Sequence, residues 1–94
     1  MSDELETLRG GIDAVDAEIA RLFARRMTLA REIGAYKRAR GLPILDPERE
    51  RNALAARGAQ AEETLAAPTR ALFETLMRLS RELQARDAEA RHDE

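Results

Sequence analysis

Apolar residues recur along the first part of the chain at Leu5, Leu8, Ile12, Val15, Ile19, Leu22, Leu29, Ile33 and Tyr36. The spacing alternates between three and four, the period of a heptad seam on one face of an α-helix. Nothing stops the pattern before Arg40-Gly41-Leu42-Pro43, where Gly41 suits a C-terminal cap and Pro43 prevents continuation. The seam therefore predicts a long first helix over about residues 4–40. Asp46-Pro47-Glu48 then carries the signature of a helix start: a capping carboxylate, proline at the first helical position and an acid in the first turn. The short helix that follows is expected to run to Arg57 and to end at Gly58. A third helix of medium length is expected from near Pro68. Its Leu72, Leu76, Leu79 and Leu83 form one ridge, and Phe73, Met77, Ser80 and Gln84 form a parallel one. The charged stretch 86–94 is expected to fray.

No segment alternates with period two, and Ala, Arg, Glu and Leu, all strong helix formers, dominate. The fold class is thus all-α, with three helices in a single domain over 1–94. A helix of roughly 36 residues is about 54 Å long, whereas a compact chain of 94 residues has a radius of gyration of only about 12 Å. The first helix cannot be contained in a compact monomer. Its seam calls for a second chain, and the expected architecture is an intertwined helical-bundle homodimer.

Composition narrows the chemistry. The chain has no cysteine and a single histidine, His92. This excludes disulfides, thiolate metal sites, cysteine nucleophiles and a histidine triad within one chain. No glycine-rich phosphate loop is present. The net charge of −2 and the lack of a basic block argue against nucleic acid as a partner. The acidic N-terminus does not resemble a signal peptide, and no apolar run approaches the ~20 residues of a membrane span. These features describe a cytoplasmic protein that needs no cofactor or metal.

One position breaks the seam. Counting on from Leu22, the next heptad position is Arg26. A guanidinium there needs an anion to face it: either a carboxylate on another helix or a bound ligand. Lys37, the chain's only lysine, lies on nearly the same face, rotated by about 20°. It is either an ordinary surface lysine or a compact point charge placed where the planar guanidinium would not serve. Between the two lie Ala30 and Gly34. A glycine inside a helix costs ~1 kcal/mol against alanine, which implies a close approach by a ligand or a neighbouring helix. On the third helix the ridge of Phe73 and Met77 turns polar at Ser80 and Gln84. These two either face solvent or share a site with the cations. Asp46, Arg49 and Glu50 open the second helix, as capping and surface charge or as a third wall. Taken together the residues describe a polar pocket for a small polyanion, in which catalysis would be positional and electrostatic.

The order and spacing of these blocks resemble the all-helical, bacterial dimeric class of chorismate mutases. The blocks are Leu8-Arg9 with Ile12-Asp13-Ala14-Val15-Asp16; Arg25-Arg26 with Ala30, Ile33-Gly34 and Lys37; Pro43-Ile44-Leu45-Asp46 with Glu48-Arg49-Glu50-Arg51; and Phe73 with Ser80 and Gln84. The resemblance runs from about Leu5 to Gln84. It implies that Arg9, Arg26, Lys37, Asp46, Arg49, Glu50, Ser80 and Gln84 bind chorismate. Arg9 and Arg26 would grip its carboxylates with help from Ser80 and Arg49. Lys37 and Gln84 would face the ether oxygen, and Glu50 and the backbone near Asp46 the ring hydroxyl. Lys37, Gln84 and Arg26 would then carry the catalysis. Arg9 and Arg26 lie about 25 Å apart along one helix, too far for one chorismate to bridge, so Arg9 is expected to come from the partner chain. The implied activity is the rearrangement of chorismate to prephenate in phenylalanine and tyrosine biosynthesis. The alternatives are an isochorismate pyruvate lyase on the same fold and a non-catalytic helical dimerisation module.

Overall fold

The computed structural model describes residues 2–92; Met1, Asp93 and Glu94 lie outside the described residues. Three α-helices follow one another: α1 (Ser2–Ala39), α2 (Pro47–Gln60) and α3 (Ala66–His92). A single 3-10 turn (Glu63–Leu65) leads into α3. No strand occurs among the described residues.

The helix boundaries follow from local chemistry. At the end of α1 the Leu42 N–H donates to the Lys37 carbonyl at 2.9 Å and the Gly41 N–H to the Arg38 carbonyl at 3.3 Å. This paired closure requires a left-handed residue between the helix and the loop. Gly41 supplies it, with φ +66°. At the start of α2 the Asp46 carboxylate accepts from the Arg49 N–H at 3.1 Å, and Pro47 occupies the first turn. Two boundaries differ from the sequence reading. Gly58 does not end α2, which continues to Gln60. Its missing side chain serves packing instead: a Cβ there would lie 2.9 Å from Arg70 Nη1 and 3.0 Å from Arg70 Cγ. The stretch expected to fray is helical as far as His92, and its last two residues, Asp93 and Glu94, are outside the described region.

α3 packs against both α2 and α1. A glycine lies beneath α3 on each of those helices: Gly58 under Arg70 and Gly34 under Gln84. The buried apolar core is small, comprising Met27, Ala30 and Met77. The molecule measures 58 × 32 × 14 Å with a radius of gyration of 17.3 Å. That is well above the ~12 Å of a compact chain of this length. The whole heptad seam of α1 lies open, with relative exposures from 50% at Leu5 to 63% at Leu8. A single chain thus leaves unburied the very residues whose burial usually drives folding. No helix among the described residues is long and apolar enough to cross a membrane.

Candidate active site

Where α1, α2 and α3 converge they enclose a cleft of about 500 Å³. Arg26, Ala30 and Lys37 line it from α1, and Asp46, Arg49 and Glu50 from the start of α2. Ser80, Arg81 and Gln84 line it from α3. Seven of the eight residues singled out from the sequence therefore meet in one place. The eighth, Arg9, lies on the open N-terminal half of α1 and does not line this cleft.

Arg26 sits on the half-buried side of its helix, while neighbouring Arg25 is exposed. Its Nη1 donates to Ser80 Oγ at 2.7 Å and lies 3.4 Å from the Leu76 carbonyl. Ser80 in turn donates to the Leu76 carbonyl at 2.8 Å. Among the described residues no carboxylate pairs with Arg26; the ion pairs there are Arg31 with Asp87, Arg78 with Glu82 and Arg81 with Glu50. The internal ion pair that Arg26 could have made is thus not formed among the described residues. Burial lowers the pKa of the Arg26 guanidinium, because desolvation disfavours its charged form. Arginine nonetheless keeps its proton, so a partly desolvated, unneutralised charge faces the cleft.

Gln84 is buried, with 6% of its surface exposed. Its Nε2 donates to the Ala30 carbonyl at 2.7 Å, leaving one amide N–H unused. Gly34 permits this approach. A Cβ there would lie 2.9 Å from Gln84 Cγ, so the close neighbour implied by this helical glycine is a side chain of α3. Lys37 Nζ donates to the Ile44 carbonyl in the α1–α2 loop at 3.0 Å, with two further N–H groups to spare. Asp46 is engaged in capping α2.

Sequence reasoning missed Arg81. It lines the cleft and donates to the Glu50 carboxylate, joining α3 to α2. Its position one helical turn from Met77 and Gln84 was the available signal. Including it, four cations (Arg26, Lys37, Arg49, Arg81) face two carboxylates (Asp46, Glu50), a formal excess of two positive charges. Such a cleft suits a dianion. Among the described residues no group of His, Cys, Asp and Glu is arranged to hold a metal ion.

Comparison with known proteins gives concordant relatives. The chain is 43% identical over 82 residues to the T-protein of Enterobacter agglomerans, covering 87% of this chain and 22% of that protein. It is 37% identical over 81 residues to the bifunctional chorismate mutase/prephenate dehydratase of Aquifex aeolicus, covering 86% of this chain and 17% of that protein. It is 41% identical over 51 residues to the chorismate mutase of Methanocaldococcus jannaschii, covering 54% of this chain and 52% of that protein. The chain thus spans between about a sixth and a half of these relatives' lengths. No solved structure gives a significant match. The chorismate mutase type II family matches residues 8–85, nearly the whole chain, and the chain belongs to that family.

Proposed function

We propose that the protein converts chorismate to prephenate by an intramolecular Claisen rearrangement, in the cytoplasm, as a step toward phenylalanine and tyrosine. It works as a homodimer in which the partner's Arg9 completes each site. The observation that carries this reading is Arg26: a half-buried cation with no carboxylate partner among the described residues, hydrogen-bonded to Ser80 at the wall of a positively charged cleft. A dicarboxylate supplies the missing countercharge.

The reaction needs no nucleophile and no general base. Arg26, Ser80 and Arg49, with the partner's Arg9, hold the two carboxylates so that the enolpyruvyl arm folds over the ring. This removes much of the entropic part of the barrier. As the ether C–O bond lengthens ahead of C–C bond formation, negative charge builds on the oxygen. Lys37 and the free N–H of Gln84 stabilise that charge more in the transition state than in the ground state. Glu50 accepts from the ring hydroxyl.

Two considerations support the homodimer, the second resting on the role that the family resemblance implies for Arg9. The open seam of α1 needs cover, and Arg9 lies about 25 Å from Arg26 along the same helix. The decisive experiment mixes the protein with chorismate and, in a parallel sample, with isochorismate, follows the loss of each in the ultraviolet and identifies the products. Prephenate is the expected result. No turnover, or turnover of isochorismate to salicylate in its place, overturns the reading.

A further inference from the structure

We infer that Arg81 is a positioning residue whose task is to neutralise Glu50, so that a carboxylate can accept a hydrogen bond from the hydroxyl of a dianionic substrate without repelling the dianion. This inference rests on the chorismate reading of the cleft.

A site for a dianion is an unfavourable place for a bare carboxylate. The cleft nonetheless contains two, Asp46 and Glu50. Asp46 is tied to the start of its own helix through the Arg49 N–H. Glu50 instead reaches across to α3, where Arg81 Nη1 donates to both of its oxygens. The pair is partly screened from water, with side-chain exposures of 34% for Arg81 and 27% for Glu50. It is therefore worth more than a fully exposed surface pair. A carboxylate offers about four lone-pair positions, so Glu50 keeps acceptor capacity for a hydroxyl while its charge is cancelled locally. The pair also fixes the rotamer of a flexible side chain in the first turn of α2, aligning the acceptor with the cleft before a ligand arrives. Arg81 thus acts through Glu50 rather than through the reacting atoms.

The test is a double-mutant cycle on chorismate turnover, with far-ultraviolet circular dichroism recorded for every variant. Prephenate formation by the unaltered protein is established first; its absence overturns the functional reading itself and this inference with it. Given turnover, Arg81→Met is expected to raise KM by about fivefold or more, through uncompensated repulsion by Glu50. In a Glu50→Gln background the same substitution is expected to raise KM by a clearly smaller factor, because no repulsion is left to compensate and only the cation's own attraction for the dianion is lost. Arg81→Lys, which keeps the cation, is expected to stay within about threefold of the unaltered protein. This milder variant keeps the question open to test if Arg81→Met loses its helical signal. An equal rise of KM in both backgrounds, no rise in either, or an Arg81→Lys variant as impaired as Arg81→Met overturns the inference.

Discussion

Gly34 and Gln84 are a matched pair. A methyl group on position 34 would lie 2.9 Å from Gln84 Cγ, and that clearance is what lets the Gln84 amide reach the Ala30 carbonyl at 2.7 Å. Gly34→Ala opposes two effects. Helix propensity gains about 1 kcal/mol, while overpacking against the base of the Gln84 side chain costs roughly 1–3 kcal/mol. The net loss of stability is expected to stay below about 2 kcal/mol. The displaced amide is expected to lower kcat by about tenfold or more. Thermal melts and initial rates together check this, and an unchanged kcat would show that catalysis does not use the amide where Gly34 puts it.

The role proposed for Gln84 also sets the expected pH behaviour. An amide donates without needing protonation, so no titration is expected from this position. In Gln84→Glu the side chain donates only when protonated. Activity is then expected to fall as pH rises through the carboxyl pKa, which burial against the Ala30 carbonyl shifts above its usual value of about 4.3. Arg26 adds nothing near neutrality. Its folded pKa is lowered by desolvation, so its buried charge costs stability at all pH values where it is protonated. That cost is relieved only in strongly alkaline solution, as pH rises through the lowered folded value toward the unfolded one. A kcat/KM profile in which the unaltered protein stays flat across neutrality and the Gln84→Glu variant declines is the expected pair of curves.

The proposed sharing of each site between two protomers makes a prediction about mixtures. Arg9→Ala and Arg26→Ala are each expected to lose activity by orders of magnitude while keeping their helical signal. In a mixed dimer one site carries both lesions and the other carries neither. Equal mixing followed by subunit exchange is expected to restore about a quarter of the unaltered activity. Proven heterodimers without recovery would mean that Arg9 does not reach across the interface.

Substitutions on the seam separate an exposed face from an interface. In the isolated chain Ile12 is 61% exposed, and a polar replacement at such a position changes stability by within about 0.5 kcal/mol. If α1 pairs with a second copy, Ile12→Asp introduces an unpaired charge at the centre of the contact. The expected outcome is dissociation in analytical ultracentrifugation together with loss of activity. The melting temperature of the unaltered protein is expected to rise with concentration.

What the sequence disclosed was whatever depends on neighbours along the chain. The seam, the left-handed cap at Gly41 and the capping start at Asp46-Pro47 obey rules that span a few residues, and the helices follow from them. Gly58 satisfies the same local rule as Gly41 and was misread, because its reason is Arg70 arriving from another helix. Arg81 shares a helix face with Met77 and Gln84, which the sequence does show, but its pairing is not legible there: Glu50 is brought to it only by the packing of α2 on α3. Whether Arg26 was paired internally was likewise a tertiary question. Arg9 does not line the cleft within one chain, and its proposed role calls for a second copy.

The turn that ends α1 holds Lys37 at both ends. Its backbone carbonyl receives the Leu42 N–H, and its ammonium reaches the Ile44 carbonyl two residues further on. The position of that charge is therefore written into the length of the connection to α2. One residue added between Gly41 and Ile44 would move the ammonium's anchor, the Ile44 carbonyl, while leaving every residue that lines the cleft chemically unchanged. Connecting loops usually absorb insertions and deletions freely; this one is expected to tolerate neither, being the ruler by which the charge is set.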